Sequence, residues 1–188
     1  MSARTAIVCL LRGVNVGGHG LIKMAALKAV FEALGFDPVH TVLQSGNVVF
    51  GAKSAKLPAL AKTIAAAMEK ELKATPDVIL RTLPEMREIV ARNPFPAEAK
   101  NDPGHLLVQF LAGAADKAGK AKLEALAQAD EKFVIGEREV YLHYPNGVGP
   151  SKLGGPAMDK ALGSRGTARN WNTILKLLAI AEAIADPR

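Results

Sequence analysis

The amino-acid sequence predicts an α+β fold made of two linked units of similar element order. Two observations carry this prediction. Short β-rich runs alternate with stretches of helical apolar spacing along all 188 residues, with a hairpin signal in each half. The proline-containing segment Asn93–Gly104 (NPFPAEAKNDPG) reads as a loop or linker between the halves.

In the first half, Thr5–Leu11 (TAIVCLL) reads as a buried strand, and Arg12–Gly20 as a glycine loop. Met24, Leu27, Phe31 and Leu34 recur at helical spacing, with Gly35 as the stop signal. Val39–Leu43 and Asn47–Phe50 read as a hairpin around a two-residue Ser45-Gly46 turn. Leu57, Leu60, Ala61, Ile64, Met68 and Leu72 form one helical stripe, and Pro58 falls in the first turn, where proline is tolerated. Asp77–Thr82 reads as a strand. The order is β-α-β-β-α-β, that of a ferredoxin-like sandwich. Thr82 and Glu85 then form a capping box that opens a short helix to Arg92.

In the second half, His105–Leu111 reads as a strand and Asp116–Gln128 as a helix with a charged face. Lys132–Ile135 and Glu139–Tyr144 read as a hairpin around Gly136, followed by a glycine-proline loop from Pro145 to Pro156. Helical segments near Ala157–Leu162 and Ala168–Ala185 close the chain. This half is a second ferredoxin-like unit lacking its last strand, with C-terminal helices. The expected organisation is residues 1–92, a connector at 93–104, and residues 105–188. The repeat lies in element order alone, not in the residues.

Composition narrows the class. Hydrophobic residues at 49% and charged residues at 22% suit a folded globular chain and exclude extensive disorder. A single cysteine, Cys9, excludes an intramolecular disulfide and a four-cysteine zinc site. Its place between Val8 and Leu10 marks a buried thiol rather than a nucleophile. His19, His40, His105 and His143 show no metal-ligand spacing. No cofactor or metal is expected. The apolar run Ala6–Leu11 is too short for a signal-peptide core or a membrane span, so the expectation is a cytoplasmic protein that does not meet a membrane.

The net charge of +6 is unevenly placed. Residues 1–53 carry five basic against two acidic side chains, and residues 150–176 carry five against Asp159 alone. Between them, 13 basic residues balance 13 acidic ones. The two basic blocks are also rich in Gly and Asn. Brought together, they would make a positive, backbone-rich surface suited to phosphate or carboxylate. In a ferredoxin-like unit, the loop after the first strand and the hairpin after the second emerge at one end of the sheet. Arg12, Asn15, Gln44, Ser45 and Asn47 are therefore expected as neighbours. Glycines after Arg12 let backbone N–H groups approach an anion, although neither a Walker loop nor a G-x-G-x-x-G fingerprint is present. Turn chemistry alone accounts for Ser45 and Gly46, whereas Gln44 has no such role. In the C-terminal block, Arg169, Asn172 and Lys176 are expected on one helix face, with Trp171 in the core and Thr167 or Asn170 as the cap. Lys152 is an exposed loop lysine able to meet a phosphate as a point charge.

The segments LRGVNVGGH (11–19), Lys23-Met24, QSGNVVF (44–50), Asn93-Pro94-Phe95, Ser151-Lys152-Leu153, Leu162-Gly163 and TARNWNT (167–173) resemble the signature of a bacterial family of uncharacterised proteins, domain of unknown function sixteen-ninety-seven. Gly20 stands where that signature has asparagine, and a glutamate-arginine pair usual near Met158–Lys160 is missing. The resemblance implies two linked ferredoxin-like units and implies no activity.

Three functions stay open. In the first, the chain is expected to bind a small anionic ligand, a nucleotide or phosphate compound, through Arg12, Asn15, Gln44, Ser45, Asn47, Lys152, Arg169 and Asn172. An enzyme at that site would use His19 or Lys152 for proton transfer, yet no nucleophile, acid–base pair or metal centre is recognisable. Alternatively the chain is a sequence-nonspecific nucleic-acid module, or a structural or regulatory protein that forms a homodimer through a sheet edge.

Overall fold

The structure, a computed structural model, describes residues 4–14, 21–128 and 130–186. It is a mixed α+β protein with two four-stranded antiparallel sheets. The chain divides into two compact units, Met1–Glu88 with Lys176–Arg188, and Ile89–Leu175.

The first unit runs β1 (Thr5–Arg12), α1 (Met24–Ala33), β2 (Val39–Val42), β3 (Asn47–Ala52), α2 (Leu57–Leu72) and β4 (Asp77–Thr82), with strand order β2-β3-β1-β4. The run TAIVCLL forms an inner strand because it is apolar at every position from Ala6 to Leu11, not at alternate ones. From Ala6 to Leu11 no residue is more than 2% exposed. Each fully buried aliphatic side chain there contributes about 1.5–3 kcal/mol. Ile7, Cys9 and Leu11 pack with Leu27 and Phe31 of α1, Ile64 and Met68 of α2, and Phe50 of β3.

Gly35 ends α1 as its place in the sequence predicts. It adopts φ +79°, its N–H bonds Glu32 O at 2.9 Å, and the Phe36 N–H reaches back to Phe31 O. This is a Schellman stop, and its apolar contact is the Phe31–Phe36 ring pair at 6.0 Å. Phe50 joins both rings, at 5.3 and 4.3 Å, so the helix end is built into the core.

The second unit holds β5 (Leu106–Leu111), α5 (Lys120–Leu126), β6 (Lys132–Ile135), β7 (Glu139–His143), α6 (Gly155–Leu162) and β8 (Gly166–Asn170), with strand order β6-β7-β5-β8. A 3-10 turn at Lys117–Gly119 precedes α5, and Asp116 caps it by accepting from the Ala118 N–H. Leu111, Leu123, Leu142, Leu153, Met158 and Leu162 form the core between this sheet and its helices. Between the β4 and β5 strands lie α3 (Leu83–Ala91) and α4 (Pro96–Asn101); α7 (Trp171–Ala185) ends the chain.

Four expectations are corrected. The second unit does not lack its last strand: β8 pairs along β5 from Leu107↔Asn170 to Leu111↔Gly166. Only Thr167 in GTARN is β-branched, so local propensity is weak and pairing with β5 imposes the strand. Consequently α7 starts at Trp171, and Arg169 is a strand residue that shares no helix face with Asn172 and Lys176. The buried apolar positions of α7 are Trp171, Ile174, Leu177, Ala181 and Ile184, with Thr173 buried among them, whereas Leu175 is exposed. The β2–β3 turn spans four residues, 43–46, because Val42 pairs with Asn47. The connector contains a helix, α4, opened by Pro96 in its first turn.

A residue-level repeat emerges where sequence comparison shows none. Arg81 lies opposite Val8 of the central β1, and Arg169 lies opposite Val108 of the central β5. Both arginines are buried, at 1% and 9% exposure, and the Nη1 of each donates to the preceding carbonyl. A capping residue follows each. The Thr82 Oγ1 and Glu85 carboxylate form the expected capping box on α3, and Asn170 Oδ1 accepts from the Thr173 N–H on α7.

Asn170→Ala is expected to cost about 1 kcal/mol, the loss of one helix cap. Chemical denaturation followed by far-UV circular dichroism measures it. The same method separates two glycines. Gly35→Ala meets no atom within 4 Å but keeps a left-handed φ, so it costs about 1 kcal/mol. Gly51→Ala places a Cβ 2.5 Å from the Asp37 carbonyl oxygen and costs more, about 3 kcal/mol.

Candidate functional site

The end of the first sheet where β1 finishes is organised by backbone first. The Leu11 N–H donates to Gly46 O at 2.8 Å, which ties the β2–β3 turn to the last residues of β1. Gly46 has φ +73°, and a Cβ there would lie 2.3 Å from Val14 Cγ2 and 2.9 Å from Leu11 Cβ. Glycine is therefore demanded twice, by conformation and by close approach. Asn47 is fully buried, and its Nδ2 donates to Val42 O at 3.0 Å and to Ser45 Oγ at 2.8 Å. The amide thus closes the hairpin from inside. Gln44 and Ser45 stay exposed on the turn it braces.

Leu43 adds a feature that sequence reasoning missed. It adopts φ +58° and is 55% exposed. A non-glycine residue in this region costs about 1–3 kcal/mol and persists only where its surroundings impose it. No composition or spacing signal marks it, because a leucine after a strand reads as more strand.

Arg12 sits in register with Asp77 of β4, with its Nε 4.0 Å from the Asp77 carboxylate. Its charge is already balanced in the fold. Asn15 and His19 lie outside the described residues.

The remaining predicted residues belong to the second unit. Lys152 is exposed in the loop after β7. That loop is held by Tyr144, whose hydroxyl donates to Leu153 O at 2.6 Å, and by Ser151 Oγ, which accepts from the Leu153 N–H. Burial pushes the Tyr144 hydroxyl well above its ordinary range, so it is a structural donor at neutral pH. Arg169 is buried, and its Nη1 donates to Thr167 Oγ1 and to Ala168 O, both at 2.7 Å. Asn172 is exposed in the first turn of α7.

A cluster of titratable groups also escaped the sequence. Asp102 accepts from His143 Nε2 and pairs with His105 Nδ1, each at 2.9 Å, and Lys132 Nζ meets Glu98 Oε1 at 2.7 Å. The two histidines are far apart in sequence and share no ligand spacing; the strand register is what brings them to one carboxylate. Among the described residues, no group of three or more His, Cys, Asp or Glu is arranged to hold a metal ion. No helix among them is long and apolar enough to cross a membrane.

In architecture, the chain is similar to a solved structure, a conserved bacterial protein from Streptococcus pneumoniae. The two share 21% identity and a TM-score of 0.75, over 95% of this chain and 99% of that one. This likeness supports the fold. No curated protein matches the chain. The match to a family covers residues 4–141, which includes the β1 loop, the 43–50 hairpin and the connector. The chain therefore belongs to the family described as Protein of unknown function (DUF1697).

Proposed function

We propose that this protein binds a small anionic ligand, a nucleotide or phosphate compound, at the end of the first unit. Each unit is read as a ferredoxin-like sandwich, because the strand orders β2-β3-β1-β4 and β6-β7-β5-β8 and their antiparallel pairings follow that topology. One observation carries the ligand reading. The 43–46 turn is braced by Asn47 and bonded to Leu11, yet it keeps Gln44 and Ser45 exposed beside the start of the glycine-rich segment. A rigid base with polar side chains presented on it is the arrangement that binding needs. Gln44 and Ser45 supply directional hydrogen bonds. Asn47 acts as the brace.

Burial weighs against nucleic acid on a sheet face. An RNA platform of this topology needs stacking side chains on an open sheet. Here Val8, Leu10 and Val49 in the first sheet and Val108 and Phe110 in the second have no exposure. Both faces of each central strand are covered.

Calorimetric titration with inorganic phosphate, a nucleoside monophosphate and a sugar phosphate tests the proposal. Saturable binding to at least one is expected, and Gln44→Ala is expected to weaken it about three- to tenfold, the loss of one hydrogen bond. Lys152→Ala and Asn172→Ala test the second unit's exposed polar residues separately. Absence of binding by all three ligands, or binding indifferent to Gln44→Ala, overturns the assignment to this turn. Self-association of the unliganded protein in sedimentation would then favour the dimerisation reading.

A further inference from the structure

The inner faces of α1 and α2 cover the first sheet, and their outer faces leave a groove of about 840 Å³ between the two helices. Val30 and Leu34 line its inner side. Ala29, Ala33, Thr63 and Ala66 line its walls, and all four are exposed. The outward face of a surface helix ordinarily carries charged or polar side chains. These four positions bear short, uncharged ones, so another helix can come close to both backbones. The charges around the groove balance. α1 carries Lys28 and Glu32, and α2 carries Lys62 and Lys70 against Glu69 and Glu71, so each helix is neutral in a chain of net charge +6. Lys28 pairs with Glu32 at 3.6 Å, and Lys70 with Glu71 at 3.2 Å. Lys62 and Glu69 are exposed and make no ion pair among the described residues. They stand four positions before and three positions after Ala66, on one stripe of the helix. At a rise of about 1.5 Å per residue, they lie about 6 and 4.5 Å to either side of Ala66 along the axis.

We propose that the α1–α2 layer is a self-association face, on which a second copy of this chain docks by a two-fold rotation with the two α2 helices antiparallel. A two-fold contact uses the same patch on both copies, so the patch must complement itself. This one does. With the axis at Ala66, Lys62 of each copy faces Glu69 of the other, and the two charges left unpaired in one chain are paired in two. Ala66 meets Ala66 at the centre, and the two grooves close on each other as a four-helix layer. A copy of a chain with net charge +6 is repelled over its basic surfaces, whereas the neutral layer lets two copies meet without that opposition. α2 spans 16 residues, so the face is about 24 Å long and, across two helices, about 20 Å wide. A patch of that size, floored by small side chains, makes a weak, reversible dimer. The 43–46 turn lines no part of the groove, so the contact does not depend on ligand binding at that turn.

Sedimentation velocity over a rising protein concentration reads the contact. The wild-type chain is expected to show a reversible monomer–dimer equilibrium that added salt weakens. Lys62→Glu sets glutamate against Glu69 at two places and is expected to weaken the dimer about tenfold, and Glu69→Lys does the same with lysines. Both substitutions in one chain restore the attraction and return the dimer to wild-type strength. Mixed one to one, the two single variants are expected to form a heterodimer tighter than either homodimer, because every facing pair is then opposite in sign. Both side chains are exposed, so these variants keep the fold. A wild-type chain that stays monomeric at its highest soluble concentration overturns the proposal. So do single variants that dimerise as the wild type does, or a double variant no better than the singles; either result places the contact elsewhere, such as a sheet edge.

Discussion

A strand buried on both faces must find partners on both edges and cover on both sides, and this constraint organises each unit. β1 and β5 are two such strands, and their neighbours β3 and β7 are as deeply buried. β1 pairs with β3 and β4, and β5 pairs with β7 and β8. Helices α1 and α2 cover one face of the first sheet through Leu27, Phe31, Ile64 and Met68. Leaving a backbone group unpaired inside such a layer costs about as much as one buried side chain contributes, and a strand edge has several such groups, so the ladder on each edge is obligatory. That obligation is why GTARN becomes a strand despite its weak propensity.

The same constraint explains where the polar residues go. Arg81 and Arg169 occupy equivalent places beside the central strands, and both spend donors on nearby carbonyls. Arg12 faces Asp77 across the β1–β4 pair. Buried cations need such partners, because desolvation is costly without them. Several residues that suggest a binding site in one dimension thus serve as braces in three. Gln44 and Ser45 remain exposed because they sit on the turn, outside the packed layers.

Much of the architecture was legible in one dimension. The continuous apolar run of β1, the i, i+3, i+4 stripes of α1 and α2, the Gly35 stop and the Thr82–Glu85 capping box are local signals with local causes, and each stands where expected. Turn length and the last strand were not legible. The four-residue turn depends on the Val42↔Asn47 register, and register is a property of two strands together. The candidate site was readable in part for the same reason. Topology placed the end of β1 beside the hairpin, but the division of labour between Asn47 and Gln44 depends on which amide the core encloses.

The order of elements in the first unit, the buried central strands and the Gly35 stop follow from residue identity, because periodicity, propensity and capping act over a few residues. The pairing of β8, the burial of Arg81 and Arg169, and the meeting of His105 and His143 on Asp102 follow from long-range register. Contacts across some 40 to 80 residues carry no local signature, since their energy exists only once both sides of the layer have formed.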